Sequence, residues 1–248
     1  TAIGPVSSAQ AANGQVVISQ VYGGGGNNGA VYSNDFIELY NPTSEPVDLA
    51  GWKVYYTSAT RTNFDGASST TLEGEIPAKG YYLIQQAAGA NQFKDLPEPD
   101  AEGSLAMGGT NGVVGLADAS NKIIDIVGYG TAVLNETRST APISNATAAI
   151  RKANPTLEEN NRGLDTDNNF EDFEVETPDP RNSKYNLPVE EETQVAEVTA
   201  NYTSGEWPVN TQITLTTATK DATIFVSVNG EEFKTYTEAI TLTGKTTV

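Results

Sequence analysis

The 248-residue chain carries 14 Lys and Arg against 32 Asp and Glu, a net charge of −18, and it contains neither cysteine nor histidine. The charge argues against broad electrostatic attraction to nucleic acid or anionic lipid. The missing residue types exclude disulfides, thiolate chemistry and the usual general base and zinc ligand, so the composition disfavours an enzyme.

The N-terminal residues 1–14 are rich in Ala and Ser and include the triplet Ala9-Gln10-Ala11. An A-x-A triplet is typical of signal-peptide cleavage sites, so this segment is predicted to be the remnant of a secretion signal. The alternative is a flexible N-terminus. No stretch of the sequence is apolar over the length needed to span a bilayer. We therefore expect an extracellular protein, secreted or associated with a cell wall.

Short β-strands separated by Gly, Pro and Asn turns are predicted along residues 15–186, without a convincing amphipathic helix. The predicted strands are 16–22, 36–40, 52–56, 71–76, 81–86, 112–117, 122–129 and 148–152. In the third strand Trp52, Val54 and Tyr56 alternate with Lys53 and Tyr55, which predicts a half-buried strand. The fold class is therefore predicted as all-β, an immunoglobulin-like sandwich followed by a second, smaller immunoglobulin-like sandwich.

A glycine-rich loop, Gly23 to Gly29, follows the first predicted strand. It lacks the G-x-x-x-x-G-K-S/T pattern of phosphate-binding loops, and no predicted helix follows it. It is predicted to be a flexible connection between strands.

The amino-acid composition of the chain changes near residue 187. Residues 187–193, which include Glu190-Glu191-Glu192, are predicted to be a charged linker. Residues 194–248 are rich in Thr, Val and Ile, with a hairpin turn at Asn229-Gly230, and predict the smaller sandwich. The sequence stops inside an apparent strand, so this second domain is expected to be truncated, with an open edge.

Three segments carry a family resemblance: VISQVY at 17–22, DFIELYNP at 35–42 and VDLAGW at 47–52. Together they resemble the bacterial form of the lamin tail domain. Further matches at 76–83, 113–116, 124–130, 149–152 and 165–173 extend the resemblance over about residues 15–186. The resemblance implies an immunoglobulin-like β-sandwich.

Residues 193–248 resemble the small C-terminal β-sandwich of chitobiase and hexosaminidase-type enzymes, through Ile213 to Thr217, Ala222 to Phe225 and Asn229-Gly230. This resemblance implies an accessory module and transfers no catalytic residue. Both module types recur in large secreted or wall-attached bacterial proteins beside nuclease, nucleotidase or phosphoesterase domains. The motifs of those catalytic domains are missing from this sequence, although a larger parent protein could contain them.

The densest polar cluster lies between Gly163 and Phe173. Asp165, Asp167 and Asn169 alternate as in the start of a calcium loop, and Asp172 could complete the ligand shell. The cluster lacks the Gly and Glu of a complete EF-hand loop. It therefore predicts a structural calcium site, with an Asx-rich turn that binds nearby backbone amides as the alternative.

Three other acids, Asp35, Glu38 and Asp125, are candidates for acid or base chemistry. Asp35 and Glu38 are three residues apart on a strand, so their side chains should point to opposite faces and cannot converge on one substrate. They are predicted to lie on a polar outer face and at a strand end. Asp125, flanked by two isoleucines, is predicted to be partly buried in an ion pair with Arg151 or Lys152.

Two residue populations suggest binding surfaces. Six tyrosines could form a carbohydrate platform, but tyrosines of an ordinary sandwich are the favoured interpretation. They are Tyr22, Tyr32, Tyr55, Tyr56, Tyr81 and Tyr82. Six basic residues fall in one late segment among acids that would neutralise a nucleic-acid surface. They are Arg138, Arg151, Lys152, Arg162, Arg181 and Lys184.

The sequence thus predicts a non-catalytic accessory segment of a larger secreted or cell-surface protein that positions or binds a surface or substrate polymer. One alternative is a calcium-stabilised spacer or adhesion module. The other is an accessory domain for nucleic-acid handling in a secreted nuclease or phosphoesterase, which the charge of −18 disfavours.

Overall fold

The computed structural model describes residues 15–185, 196–220 and 222–245 and divides the chain into two compact units, Thr1–Leu187 and Pro188–Val248. The predicted signal remnant at 1–14 and the predicted linker at 187–193 lie outside the described residues. Within the described ranges, no helix combines the length and the apolar character that a membrane crossing requires.

The first unit consists of short strands with a single helical turn among its described residues. They are β1 (Val17–Tyr22), β2 (Asn34–Tyr40), β3 (Val47–Asp48), β4 (Lys53–Thr57), β5 (Ser68–Thr71), β6 (Glu75–Ile76), β7 (Tyr81–Ala88), β8 (Ala101–Glu102), β9 (Gly112–Ala117), β10 (Ile123–Tyr129), β11 (Ala148–Arg151), α1 (Asn169–Asp172) and β12 (Phe173–Glu176).

Ten of these strands form two sheets that face each other. One sheet has the order β12-β11-β1-β2-β7-β8, and the other has the order β10-β9-β4-β5. All pairings are antiparallel except that of β7 with β8. Ile37 and Leu39 of the first sheet and Val54, Leu116 and Val127 of the second belong to one buried core. The predicted all-β sandwich is confirmed.

The predicted strand at 71–76 is wrong in its extent. Gly74 has a φ of 77°, a left-handed conformation that interrupts extended backbone. The chain instead forms β5, which begins at Ser68 and pairs with β4, and the separate β6. Strands β8 and β12 and helix α1 were not predicted, because each is only two to four residues long and carries little periodicity.

Strand β4 is more deeply buried than the half-buried strand that its sequence predicts. Tyr55, expected on the solvent face, is only 7% exposed. The segment that follows β4 brings the buried Phe64 over this face, with the Tyr55 and Phe64 ring centroids 5.8 Å apart. Gly115 of β9 makes room for the ring, since a Cβ there would lie 2.5 Å from the Phe64 Cζ. The second sheet therefore carries a separate apolar cluster on its outer face.

The glycine-rich loop joins β1 to β2 as predicted, but its first half is packed against other segments, so the prediction of a flexible loop is wrong for Gly23 to Gly26. All four glycines from Gly23 to Gly26 are buried. A Cβ on Gly25 would overlap the Asn34 carbonyl carbon, and one on Gly24 would lie 2.6 Å from the Asn145 Cα. The glycines are needed because four other backbone segments, at Asn34, Gly89, Gly108 and Asn145, approach this loop closely.

The second unit contains six two-residue strands among its described residues. They are β13 (Thr199–Ala200), β14 (Gln212–Ile213), β15 (Leu215–Thr216), β16 (Phe225–Val226), β17 (Lys234–Thr235) and β18 (Ile240–Thr241). They pair as β13 with β15, β14 with β18, and β16 with β17. Asn229 and Gly230 lie in the β16–β17 connection with φ values of 56° and 79°, which suits the predicted turn.

Candidate functional site

Asp35, at the start of the second predicted strand, is buried and joins three segments of the first unit. Its Oδ1 accepts a hydrogen bond from the Gly25 amide at 2.9 Å, and its Oδ2 accepts one from the Met107 amide at 2.8 Å. Burial raises the pKa of this carboxyl to about 6, against an ordinary value of 3.8, although both amides oppose the shift. The predicted exposure of Asp35 is wrong, because the side chain anchors the glycine-rich loop.

Glu38 is also fully buried, so its predicted exposure is wrong as well. Arg162 Nη1 donates to its two carboxylate oxygens at 2.8 and 2.9 Å, and the Ser19 hydroxyl donates at 2.6 Å. Burial raises the pKa of Glu38 and the Arg162 charge opposes that shift. Asp35 and Glu38 have separate partners, as their opposite-face spacing predicts, and do not form an acid/base pair.

The predicted ion pair of Asp125 is confirmed. Arg151 Nη2 lies 2.8 Å from the Asp125 Oδ2, and both side chains are buried. Arg151 Nε donates to the Ile18 carbonyl at 2.8 Å, and its guanidinium lies 4.6 Å from the Phe173 ring centroid. Asp125 Oδ2 also accepts from the Ile18 amide, whereas its Oδ1 has no hydrogen-bond partner among the described residues. Arg151 thus ties β10 and β11 to β1.

Two of the four predicted calcium ligands lie beside Arg151. The Asp165 Oδ1 is 3.1 Å and the Asp172 Oδ2 is 3.8 Å from Arg151 Nη1. Asp172 also accepts from the Thr166 amide at 2.9 Å and from the Thr166 hydroxyl at 2.7 Å. Asp167 adopts a left-handed φ of 56° in the same turn. These contacts are characteristic of the Asx-rich turn that is the alternative interpretation of this cluster.

The remaining predicted ligand, Asn169, faces the protein interior. Its Oδ1 accepts from the amides of Gly128 and Glu136, and its Nδ2 donates to the Ile126 carbonyl and to Glu136 Oε2. Burial, with a smaller contribution from the charge of Asp125, raises the pKa of Glu136 to about 9. In the described ranges no group of three or more acidic side chains is arranged to hold a metal ion. Calcium binding by the Asp165–Asp172 loop stays a prediction.

The six late basic residues do not form an open cationic surface. Arg162 and Arg181 contact Asp179, and Lys184 contacts Glu98 at 2.6 Å. The remaining three are Arg151 in its ion pairs, Lys152 bonded to the Glu171 carbonyl, and Arg138 stacked 3.6 Å from the Phe170 ring centroid. The interleaved acids neutralise much of this segment, as its sequence predicts.

Five of the six tyrosines are buried parts of the sandwich, and Tyr56 is half-buried. Tyr22, Tyr81 and Tyr82 are almost fully buried, and each hydroxyl donates to a backbone carbonyl. Tyr22 and Tyr32 pack around Phe36 on the outer face of the first sheet. The interpretation as ordinary structural tyrosines fits, although their burial is deeper than the half that was expected.

An open groove of about 620 Å³ lies along β5, the edge strand of the second sheet. Its polar walls come from three segments and carry hydroxyls and one cation: Tyr56, Thr57, Ser58, Arg61, Ser68, Ser69 and Ser104. Ala67, Leu105 and Ala106 add apolar surface, and none of the described residues that line the groove carries a carboxylate. Arg61 donates a hydrogen bond to the Asp65 carbonyl. The arrangement can bind hydroxyl-rich ligands but offers no carboxylate for general acid or base catalysis.

Apart from Tyr56, which is one of the six tyrosines considered for a carbohydrate platform, the groove residues were missed by sequence reasoning. The available signal is the run TSATRTNFDGASSTT at 57–71, which is unusually rich in hydroxyl side chains. Such a run is equally typical of a surface loop, and nothing in it shows that residues 104–106 form the opposite wall.

Comparison with known proteins supports the fold. No curated protein matches the chain. The part of the chain that matches a family model contains β1 to β10, while β11 and β12 lie beyond it but complete the first sheet beside β1. Residues 9–131 match the family model of the Lamin Tail Domain. Domains of this family are immunoglobulin-like β-sandwiches, and the match indicates a binding or structural module.

Proposed function

We propose that this chain is a non-catalytic accessory segment of a larger secreted or cell-surface bacterial protein, and that it binds and positions a surface or substrate polymer. The first unit supplies a rigid sandwich, and the second is a small accessory module of the kind found at the C-terminus of chitobiase-type enzymes. The observation that carries the proposal is the open groove along β5.

The form and lining of the groove suit an extended polymer. Hydroxyls of Ser58, Ser68, Ser69 and Ser104 can each donate and accept hydrogen bonds, and small apolar side chains lie between them. A polysaccharide presents the complementary pattern of hydroxyl groups and C–H surface. Ser68 and Ser69 are on an exposed strand, so a ligand can lie along the edge without entering a closed cavity.

The arrangement of charges supports binding rather than catalysis. Asp35, Glu38 and Asp125 are buried and bonded to protein partners. Each therefore has a structural role that accounts for its burial. This is consistent with a module that presents a surface and leaves chemistry to other domains of the parent protein.

A nucleic-acid role has less support. In the part of the chain that the structure describes, Arg61 is the only Lys or Arg that lines the groove. Affinity for a phosphate backbone depends on several Lys or Arg contacts and falls steeply with salt. Binding to single-stranded DNA at low salt, abolished by Arg61→Ala, would favour this alternative.

Co-sedimentation with purified peptidoglycan sacculi, insoluble chitin and insoluble cellulose tests the proposal. The wild-type chain should be retained on at least one of these polymers. Ser69→Trp should reduce its retention about ten-fold by filling the groove. Ser44→Trp is the matched control, because Ser44 is exposed on the same unit and does not line the groove. Equal retention of the two variants would contradict the assignment of the groove.

A further inference from the structure

The second unit carries two exposed aromatic side chains that pack against each other in the loop that joins β13 to β14. The ring centroids of Tyr202 and Trp207 are 4.6 Å apart, with the ring planes inclined at 56°. Tyr202 is 38% and Trp207 is 42% exposed. The indole Nε1 donates to the Thr203 carbonyl at 3.0 Å, so its one polar atom is bonded within the loop. The pair is a preformed aromatic surface open to solvent.

Polar groups of the same loop border this surface. Thr203, Ser204 and Glu206 are exposed, and in the described parts of the chain their side chains form no hydrogen bond. Two hydroxyls and a carboxylate are therefore available beside the rings. This combination of an apolar face with adjacent hydrogen-bonding groups is typical of sites that orient a small polar ligand.

The negative charge of the second unit favours a neutral ligand over a nucleic acid. Between Pro188 and Val248 the sequence has nine Asp and Glu, three Lys and no Arg. Nucleic-acid bases also stack on aromatic rings, but such sites depend on a positively charged groove for the backbone. A neutral sugar has no such requirement. Its pyranose ring presents polarised C–H groups to the negative face of an aromatic ring, while its hydroxyls project from the rim.

We propose that Tyr202 and Trp207 form a binding site for a neutral polysaccharide. One pyranose ring stacks on the indole of Trp207, and its hydroxyls bind Thr203, Ser204 and Glu206. This inference rests on the polymer-binding function proposed above and specifies its ligand class. It uses residues of the second unit alone, so it can be tested separately from the β5 groove.

Tryptophan fluorescence gives a direct test in the full chain. Trp52 and Trp207 are the only tryptophans. In a Trp52→Phe background the emission reports on Trp207 alone. Titration with cellohexaose or chitohexaose should produce a saturable change in emission, and Glu206→Gln should weaken the apparent affinity. No change in emission with either sugar, or an equal change with a thymidine oligonucleotide, would overturn the proposal.

Retention on insoluble cellulose and chitin supplies the second test. Trp207→Ala and Tyr202→Ala should each lower retention about ten-fold. Phe233→Ala is the matched control, because Phe233 is 73% exposed and stacks on no other ring within the described residues. If the Trp207 and Phe233 variants bind equally, the site is wrong. If retention is lost in Ser69→Trp but kept in Trp207→Ala, the result would support the β5 groove as the binding site and refute only the site at Tyr202 and Trp207.

Discussion

Arg151 and Asp125 form an ion pair of 2.8 Å whose two side chains are removed from solvent. The pair joins β10 to β11, and Arg151 further reaches the Ile18 carbonyl of β1. A charge buried in this way is tolerated only while its partner is present. The stability of the first unit therefore depends on this contact between the two sheets of the sandwich.

Removal of the Arg151 guanidinium should destabilise the chain strongly. Arg151→Met leaves Asp125 as a buried carboxylate with no cation, which costs about 3–5 kcal/mol in comparable pairs. Urea unfolding followed by tryptophan fluorescence measures the change in the free energy of unfolding.

The exposed Lys184–Glu98 pair provides the control for that experiment. Both of its side chains are largely exposed, so Lys184→Met should change stability far less than Arg151→Met does. Similar losses in the two variants would show that the buried pair has no special role.

Stability should also depend on pH through Asp35. Its pKa is raised to about 6 in the folded protein from an ordinary value of 3.8. The folded state therefore binds the proton more tightly, and this contribution to stability is complete below about pH 3.8 and is lost as the pH rises to about 6. Between pH 4 and 7, the wild type should lose about 2–3 kcal/mol relative to Asp35→Asn.

The free energies of unfolding of the wild type and of Asp35→Asn are measured from pH 4 to 7. Their difference at each pH isolates the contribution of the Asp35 carboxyl. Asp35→Asn also disturbs the hydrogen bonds to Gly25 and Met107, but that cost does not vary with pH. A difference that stays constant from pH 4 to 7 would argue against the raised pKa.

The glycine-rich loop should be intolerant of side chains where it is packed. Gly25→Ala places a methyl group against the Asn34 and Asp35 backbone and should cost about 3 kcal/mol, the upper end of the usual range for overpacking. Gly29→Ala meets no atom within 4 Å, so only its φ of 80° opposes the change, at about 1–2 kcal/mol. Thermal melts of the two variants compare them directly, and a flexible loop would tolerate both equally.

The loop from Asp165 to Asp172 carries the prediction of calcium binding. To bind the ion, Asp165 would have to weaken its contact with Arg151, and Asp172 its contacts with Thr166. We therefore expect a dissociation constant no tighter than about 10⁻⁴ to 10⁻³ M. Calorimetric titration should show heat that is lost in Asp167→Ala. A titration without heat, and without a shift of the melting temperature, would leave only the Asx-rich turn.

Structural features that depend on a short stretch of sequence could be predicted well. The β9–β10 hairpin follows from two apolar runs around Asp118 to Asn121, where Asn121 takes the left-handed turn position. The partner of Asp125 was predictable because a carboxylate between two isoleucines needs a cation, and few cations follow it.

Features that depend on distant segments were not predictable. Glu38 resembles a surface residue until Arg162, which is 124 positions away, folds onto it. Likewise, the burial of Tyr55 depends on Phe64, and the packing of Gly25 depends on the neighbouring backbone. The β5 groove has walls from three segments whose meeting is set by the fold, and no local pattern encodes it.

Backbone amide chemical shifts, recorded while a soluble polymer fragment is added to the full chain, test the central claim most directly. With peptidoglycan fragments or chitohexaose as the probe, polymer binding at β5 predicts saturable shifts concentrated at Ser58, Ser68, Ser69 and Ser104. Absence of shifts with every probe, or shifts in the first unit that avoid these residues, would contradict it.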